Sequence, residues 1–285
     1  MKKFTILDGA TGTCLWEKAE KRGFPKDPVW KYNIDHPEIV EELQREYIAA
    51  GSEIIQTNTF SVNRPSLLHS PGYDVSEVVR AGVRITKKAV EGTNAKCSLD
   101  VGPLPLMLEP YGDMEEDECR EIYEEIFSAG MAEHPDLISL ETFTDVEMLR
   151  IAAEEAKKYG VPVICSMTFE KSGKTMFGNT VEDAVETLTP LGIDGIGLNC
   201  SLGPDLALPV IREFSERTKL PLFFKPNAGM PVIHEDGSTT YDYDAETFAK
   251  ELAPAFEYVS YAGSCCGSSP EYIAEIRRSL EALNE

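Results

Sequence analysis

The stretch DLISLETFTDVEMLRIAAEEAKKYGVPVICSM, residues 136–167, reads as a complete strand–helix–strand unit. DLISL (136–140) and VPVICSM (161–167) are short, nearly continuous apolar runs, the pattern of strands buried on both faces. Residues 145–159 between them have helical spacing. Thr144-Asp145 opens that helix with side-chain oxygens able to accept an orphan N–H of the first turn. A helix joining two doubly buried strands is the crossover of a parallel sheet.

Outward from this unit the pattern repeats. Further apolar runs are FTIL (4–7), EIIQT (53–57), KCSLDV (96–101), DGIGLN (194–199), PLFFK (221–225) and EYVSY (257–261), making eight strand candidates. Helical spacing falls between and after them at 37–50, 76–90, 116–129, 180–189, 204–217, 245–252 and 270–283. In the first, Ile39, Val40, Leu43, Tyr47 and Ile48 share one face; in the second, Val79, Val83, Ile85 and Thr86 mark the inner side. Thr180-x-x-Asp183 is a capping-box variant, and Ser269-Pro270 puts proline at a first helical position. Eight such units in about 250 residues are the arithmetic of a (β/α)₈ barrel, an α/β fold expected as a single domain over residues 1–285. A doubly wound open sheet is the competitor.

Composition narrows the function. The chain is 42% hydrophobic and 27% charged, enough for a full core without disulfides. Its 49 acidic against 27 basic residues give a net charge of −22, which repels nucleic acid and anionic lipid. No run reaches the roughly 18 apolar residues of a membrane span, and the apolar run before Asp8 is too short for a secretory signal. The expected location is the cytoplasm. Seven cysteines are an odd number for a disulfide framework and point instead to metal binding or thiol chemistry.

In a barrel of this kind reactive groups cluster just after the strands. Those positions here include Asp8-Gly9-Ala10-Thr11-Gly12-Thr13, Thr57-Asn58-Thr59-Phe60, Glu141-Thr142, Asn199-Cys200, Lys225-Pro226-Asn227 and Gly263-Ser264-Cys265-Cys266-Gly267. Cys200 ends the sixth strand and Cys265-Cys266 the eighth, so closure would gather three sulfurs at one rim, leaving one tetrahedral zinc position open. By spacing alone, packing with a chance vicinal pair is an equal reading. Cys14, Cys97, Cys119 and Cys165 read as small buried hydrophobes. The Asp8–Thr13 loop lacks the lysine and spacing of a phosphate loop and is a tight turn or a carboxylate cradle. Glu141 is suited to a ligand ammonium. Lys225 offers a Schiff-base nucleophile for an aldolase, or an ion-pair partner for a barrel carboxylate. His36, His69, His134 and His234 lack metal-ligand spacing and read as solvated surface.

ILDGATGT, HPEIVEELQREYIAAGSEIIQTNTF, LETFTD, GLNCSLGP, KPNAGMP and YAGSCCGSSPEYI together resemble the homocysteine S-methyltransferase family, nearly end to end, and within it the homocysteine-binding domain of cobalamin-dependent methionine synthase. The resemblance implies a (β/α)₈ barrel with zinc on Cys200, Cys265 and Cys266 and homocysteine sulfur as fourth ligand. It places Asp8, Gly9, Ala10 and Glu141 around the amino-acid end of the substrate; Asn58 completes the expected substrate-binding set. One departure stands out. The family has glycine where Ser264 precedes the cysteine pair and threonine where Ser268 follows, so Ser264 is expected to crowd the metal loop or to bond a thiolate.

The implied reaction follows from elementary chemistry. A thiol of pKa about 8.5 is a few per cent thiolate at neutral pH, and a metal deprotonates it on binding. For the methyl donor, a chain of 285 residues without the Asp-x-His-x-x-Gly pattern leaves the expectation of a methylcorrinoid, methylcobalamin chemistry carried on a separate protein, with S-methylmethionine the alternative. Thr57–Phe60 looks like the methionine synthase branch. The betaine branch has tyrosines near here and after the strand-four glutamate, where this chain has Thr142. Trp30 or Tyr32 would supply one face of an aromatic cage. Other classes remain: the Lys225 aldolase, and a non-catalytic barrel binding a thiol or a corrinoid partner.

Overall fold

The computed structural model describes residues 4–200, 202–234 and 239–283. Eight parallel strands form the sheet: β1 (Thr5–Ile6), β2 (Ile54–Gln56), β3 (Lys96–Val101), β4 (Leu137–Phe143), β5 (Val163–Met167), β6 (Gly195–Asn199), β7 (Leu222–Lys225) and β10 (Tyr261–Ala262). They lie in the order β1-β10-β7-β6-β5-β4-β3-β2, and a parallel bridge from Leu7 to Ile54 joins its two ends into a barrel. The antiparallel hairpin β8 (Pro231–Ile233) and β9 (Thr239–Tyr241) stands apart, after β7.

Outside lies a ring of eight helices: α3 (Pro37–Ala50), α5 (Val75–Val90), α6 (Glu116–Met131), α7 (Val146–Lys157), α8 (Val181–Leu188), α9 (Pro204–Arg217), α10 (Ala245–Leu252) and α11 (Pro270–Ala282). Each touches the next, and α11 touches α3, which closes the ring. α1 (Gly12–Lys21) and the short α2 (Tyr32–Asp35) and α4 (Arg64–Leu67) decorate the first two crossovers. The starts are chemically marked. Asp74, Asp145 and Asp244 accept first-turn N–H groups, and Thr180 with Asp183 forms the full capping box. Ser269 makes no side-chain cap, so Pro270 alone marks the start of α11.

Most strands are buried on both faces, because the helices cover one side and the barrel interior the other. Leu7, Ile54, Leu137, Ile164 and Phe223 form their own apolar cluster near the N-terminal strand ends. A cavity of about 430 Å³ opens there, lined in part by Glu53, Asp136 and Asp194. Those carboxylates accept the N–H groups of Ile6, Cys97 and Val163, so they cap strands. Gly197 has no alternative: a Cβ there would meet the Phe223 carbonyl oxygen at 1.8 Å.

Three elements depart from the sequence reading. The run EYVSY is mostly not strand: Ala253–Glu257 is a 3-10 helix and β10 starts only at Tyr261, because the buried Val259 belongs to the turn feeding the strand. β4 runs past Leu140 through a register shift to Phe143, so Glu141 lies within the strand. The Asp8–Thr13 loop is shorter than expected, since Gly12 already begins α1.

Candidate active site

Five polar side chains meet at the C-terminal end of the barrel interior: Asp8 just past β1, Gln56 at the end of β2, Asp100 in β3, Glu141 in β4 and Lys225 at the end of β7. All are buried. Lys225 Nζ lies 3.0 Å from Asp8 Oδ1 and 3.6 Å from Glu141 Oε2, and it donates to Gln56 Oε1. The Gln56 amide nitrogen donates to Glu141 Oε2 at 2.7 Å and Asp100 Oδ1 at 3.3 Å, while its backbone N–H donates to Asp8 Oδ2 at 2.7 Å. Three carboxylates thus face one ammonium. Burial pulls the Lys225 pKa down, but Asp8 and Glu141 push it up further and hold the amine charged. Burial raises Glu141 against the pull of Lys225, and burial with the neighbouring Glu141 charge raises Asp100 well above the usual carboxylate range. A charged, ion-paired lysine suits the electrostatic role and not the Schiff-base one.

Two left-handed residues aim groups into this end. Thr142 has φ 66° and Cys200 φ 61°, conformations that a β-branched or ordinary side chain adopts only under constraint. Asn199 supplies the constraint on Thr142, and also accepts the Ser166 hydroxyl at 2.8 Å. The Cys200 N–H donates to the Lys225 carbonyl at 2.9 Å.

The side-chain sulfurs of Cys200, Cys265 and Cys266 all lie within 4.8 Å of one another. Cys200 Sγ and Cys266 Sγ are 3.8 Å apart and no disulfide links them. Cys265 N–H donates to the Pro226 carbonyl at 2.8 Å and Ala228 N–H to the Cys266 carbonyl at 3.0 Å, which laces the loop after β10 to the loop after β7. Tyr241 of the hairpin hydrogen-bonds Cys266, its ring seated on Gly267, where a Cβ would meet it at 2.2 Å. Hydrogen bonds from Cys200 and Cys265 hold Cys266 well below the usual thiol range. Burial instead pushes the isolated Cys97 and Cys119 up to about 12. The trio is a set of three soft donors, the number a tetrahedral metal takes from a protein when one position is kept for a substrate. Beside it, Asn227 keeps a buried side-chain oxygen with no partner among the described residues.

The expected substrate residues fare differently. Asp8 and Glu141 share the charged floor. The Ala10 carbonyl accepts the Tyr47 hydroxyl at 2.7 Å, and its N–H is committed to Ser268. Both N–H groups of the Asn58 amide are spent, on Val29 O at 2.7 Å and Asn33 Oδ1 at 2.9 Å, so that side chain secures α2 and the segment leading into it. Ser264 bonds the Ser268 hydroxyl, contrary to the expected thiolate bond. Trp30 and Tyr32 are buried, the Tyr32 hydroxyl donating to Pro25 O and the Trp30 ring standing edge-on to Tyr73 at 5.2 Å. His36 is not solvated surface: it stacks on Phe24 at 3.7 Å. His234 is exposed, and residues 235–238 lie outside the described residues. Sequence alone gives Gln56 and Asp100 no role, names Asn199 only as a strand-end residue beside Cys200, and reads Tyr241 as solvated loop, whereas it lies in β9 and bonds Cys266. Gln56 and Asp100 had one available signal, a polar residue in an otherwise apolar barrel strand; Tyr241 had none.

A family model described as homocysteine S-methyltransferase matches residues 5–280. Among curated relatives, methionine synthase of Mycobacterium leprae is 27% identical over 270 residues, covering 89% of this chain and 22% of that protein. Methionine synthase of Mycobacterium tuberculosis is 28% identical over 264 residues, covering 87% and 22%. The chain thus spans about a fifth of the length of these relatives. Among solved structures, the oxidized form of the homocysteine methyltransferase MmuM from Escherichia coli superposes with a TM-score of 0.80 at 20% identity, covering 96% of this chain and 95% of that one. Its metallated form gives 0.77 at 20% identity, covering 97% and 96%. At that identity the likeness is one of fold.

Proposed function

The chain belongs to the homocysteine S-methyltransferase family, and from that premise we propose that it methylates homocysteine, or a close thiol, to give methionine, with zinc held by Cys200, Cys265 and Cys266. The observation that carries this reading is the convergence of three thiols within 4.8 Å at the end of the barrel that holds the Asp8–Lys225–Glu141 floor. Zinc bound there would deprotonate the substrate thiol and keep its sulfur electron-rich for attack on a methyl group.

The chain's own residues supply the rest. Asp8 and Glu141 receive the substrate ammonium, and Lys225 keeps carboxylate charge in place without occupying all of it. Gln56 fixes the two acidic walls relative to each other. Held at its amino-acid end, the substrate presents its sulfur at the mouth, so that the protein's contribution to displacement is alignment and exclusion of water.

For the donor we infer a methylcorrinoid on a separate protein. The Thr57–Phe60 segment and Thr142, which puts no aromatic ring after Glu141 for a quaternary ammonium, support this choice. One observation favours S-methylmethionine as a second reading: Tyr241 sets an aromatic ring beside Cys266, able to face a sulfonium. Among the described residues no helix is long and apolar enough to cross a membrane, and the seven unpaired cysteines fit a cytoplasmic location.

The test joins metal analysis to a donor screen. The reduced protein should hold about one zinc per chain, lost in the Cys200/Cys265/Cys266 triple alanine variant with the fold retained. Homocysteine is then supplied in parallel with methylcobalamin, a methylated corrinoid protein, betaine and S-methylmethionine. Stoichiometric zinc in the triple variant overturns the metal assignment, turnover with betaine alone overturns the donor, and a zinc-loaded chain that methylates no thiol overturns the activity.

A further inference from the structure

One hydroxyl joins the loop that carries the amino-acid end of the site to the loop that carries two of its cysteines. Ser268 Oγ donates to the Cys265 carbonyl at 2.7 Å, and it accepts the Ala10 N–H at 3.1 Å and the Ser264 hydroxyl at 2.8 Å. With one donor and two acceptor sites used, its capacity is full. Ser264 has no exposed surface, and its N–H donates to the Asp8 carbonyl at 3.2 Å. Gly9 lies directly beneath: a Cβ would meet both serine oxygens at 2.8 Å and the Tyr47 hydroxyl at 2.9 Å. The Asp8–Ala10 segment is therefore pinned against Cys265 on one side and against Tyr47 of α3 on the other.

We propose that Ser268, its hydroxyl oriented by Ser264, is a positioning residue that sets the distance between the two grips on the substrate, amino-acid end and sulfur end. The inference rests on the methyltransferase reading above. A ligand held at both ends gains from the second grip only when the spacing matches its own length. Without the clasp Asp8 stays paired with Lys225, the cysteines stay laced to the loop after β7, and the Ser264 N–H bond to the Asp8 carbonyl remains as a single backbone link between the two loops, while the Ala10 N–H and the Cys265 carbonyl lose their common partner. What loosens is their separation.

That predicts a signature no general weakening of the fold would produce. Three affinities are measured by calorimetry: zinc for the metal-free chain, 2-aminobutyrate (homocysteine without its sulfur) for the zinc-loaded chain, and homocysteine for the zinc-loaded chain. Ser268→Ala should weaken homocysteine about tenfold while zinc and 2-aminobutyrate stay within about twofold of the parent, because only the two-ended ligand senses spacing. Ser268→Thr, which keeps the hydroxyl, should restore homocysteine binding. Ser264→Ala leaves the Ser268 hydroxyl in place but unoriented, and should weaken homocysteine alone by about threefold, which serves if Ser268→Ala does not fold. Homocysteine affinity unchanged in the variants, or all three affinities falling together, overturns the inference. A parent chain that holds zinc yet binds no homocysteine overturns the functional reading, and the inference with it, before any substitution is made.

Discussion

Asn199 grips Thr142 through both ends of its side-chain amide: Oδ1 accepts the Thr142 N–H at 2.8 Å and Nδ2 donates to Thr142 Oγ1 at 2.7 Å. The two residues close neighbouring parts of the site. Thr142 follows Glu141 in left-handed backbone, and Asn199 precedes Cys200, also left-handed. One amide thus orients a carboxylate of the floor and stands beside a thiol of the mouth.

Replacing Asn199 with alanine should lower the unfolding free energy by about 2–4 kcal/mol, since it strands the Thr142 N–H and hydroxyl and the Ser166 hydroxyl, a cost that relief of the Thr142 backbone offsets only in part. Urea denaturation reads this directly. A loss under 1 kcal/mol, on the order of a single ordinary hydrogen bond, would show that Thr142 holds its conformation unaided.

Lys225→Met should be more damaging, by about 3–5 kcal/mol, because it leaves Asp8 and Glu141 buried without their cation. Adding Asp8→Asn should recover part of that loss, a coupling that a double-mutant cycle measures. Additive effects would contradict the pairing. The same ion pairing predicts that borohydride traps no carbonyl compound on the parent lysine.

Asp100 carries a pH signature. Burial, then the Glu141 charge, raises its folded-state pKa well above the unfolded value of about 3.9. The folded state therefore binds the extra proton, and the stability this group contributes is complete below about pH 4 and is lost as pH rises through the raised pKa. Asp100→Asn removes that loss: the variant should exceed the parent in stability at pH 8, with the gap closing toward pH 4. Denaturation curves across that range that stay parallel would refute the assignment.

Homocysteine binding to the zinc-loaded chain should release protons near neutral pH, because the thiol must ionise to enter the open ligand position. Calorimetric heats should then vary with the ionisation enthalpy of the buffer. Glu141→Ala should weaken the same binding by about 2–5 kcal/mol through loss of an ammonium partner in a desolvated setting. Heats independent of buffer would count against thiolate formation at the metal.

Local chemistry made much of this protein legible in one dimension. Thr180 and Asp183 form the capping box their spacing announces, and α3, α9 and α10 occupy the very residues whose periodicity marked them. Such features depend on neighbours within a turn or two of chain. EYVSY misled because its apolar residues fill the connection between a 3-10 helix and β10, where a buried Val259 suits an irregular segment as well as a strand, and only neighbours in space choose between them.

The barrel itself follows from the count and alternation of its elements, and the reactive residue types at its strand ends stand in the sequence. Their chemistry does not. Nothing in one dimension pairs Asp8 with Lys225 or places the Asp100 carboxylate beside the Gln56 amide, since those contacts join adjacent or next-but-one barrel strands whose residues are far apart along the chain. Nor could spacing decide whether Ser264 meets a thiolate or Ser268; that turned on an ångström-scale choice of rotamer over Gly9. The sequence by itself determined which groups reach the mouth, because strand order and strand ends are properties of pattern. Only the tertiary structure decided which of them are spent on one another and which are left for a ligand, because hydrogen-bond partners are assigned by distance in space and not by distance along the chain.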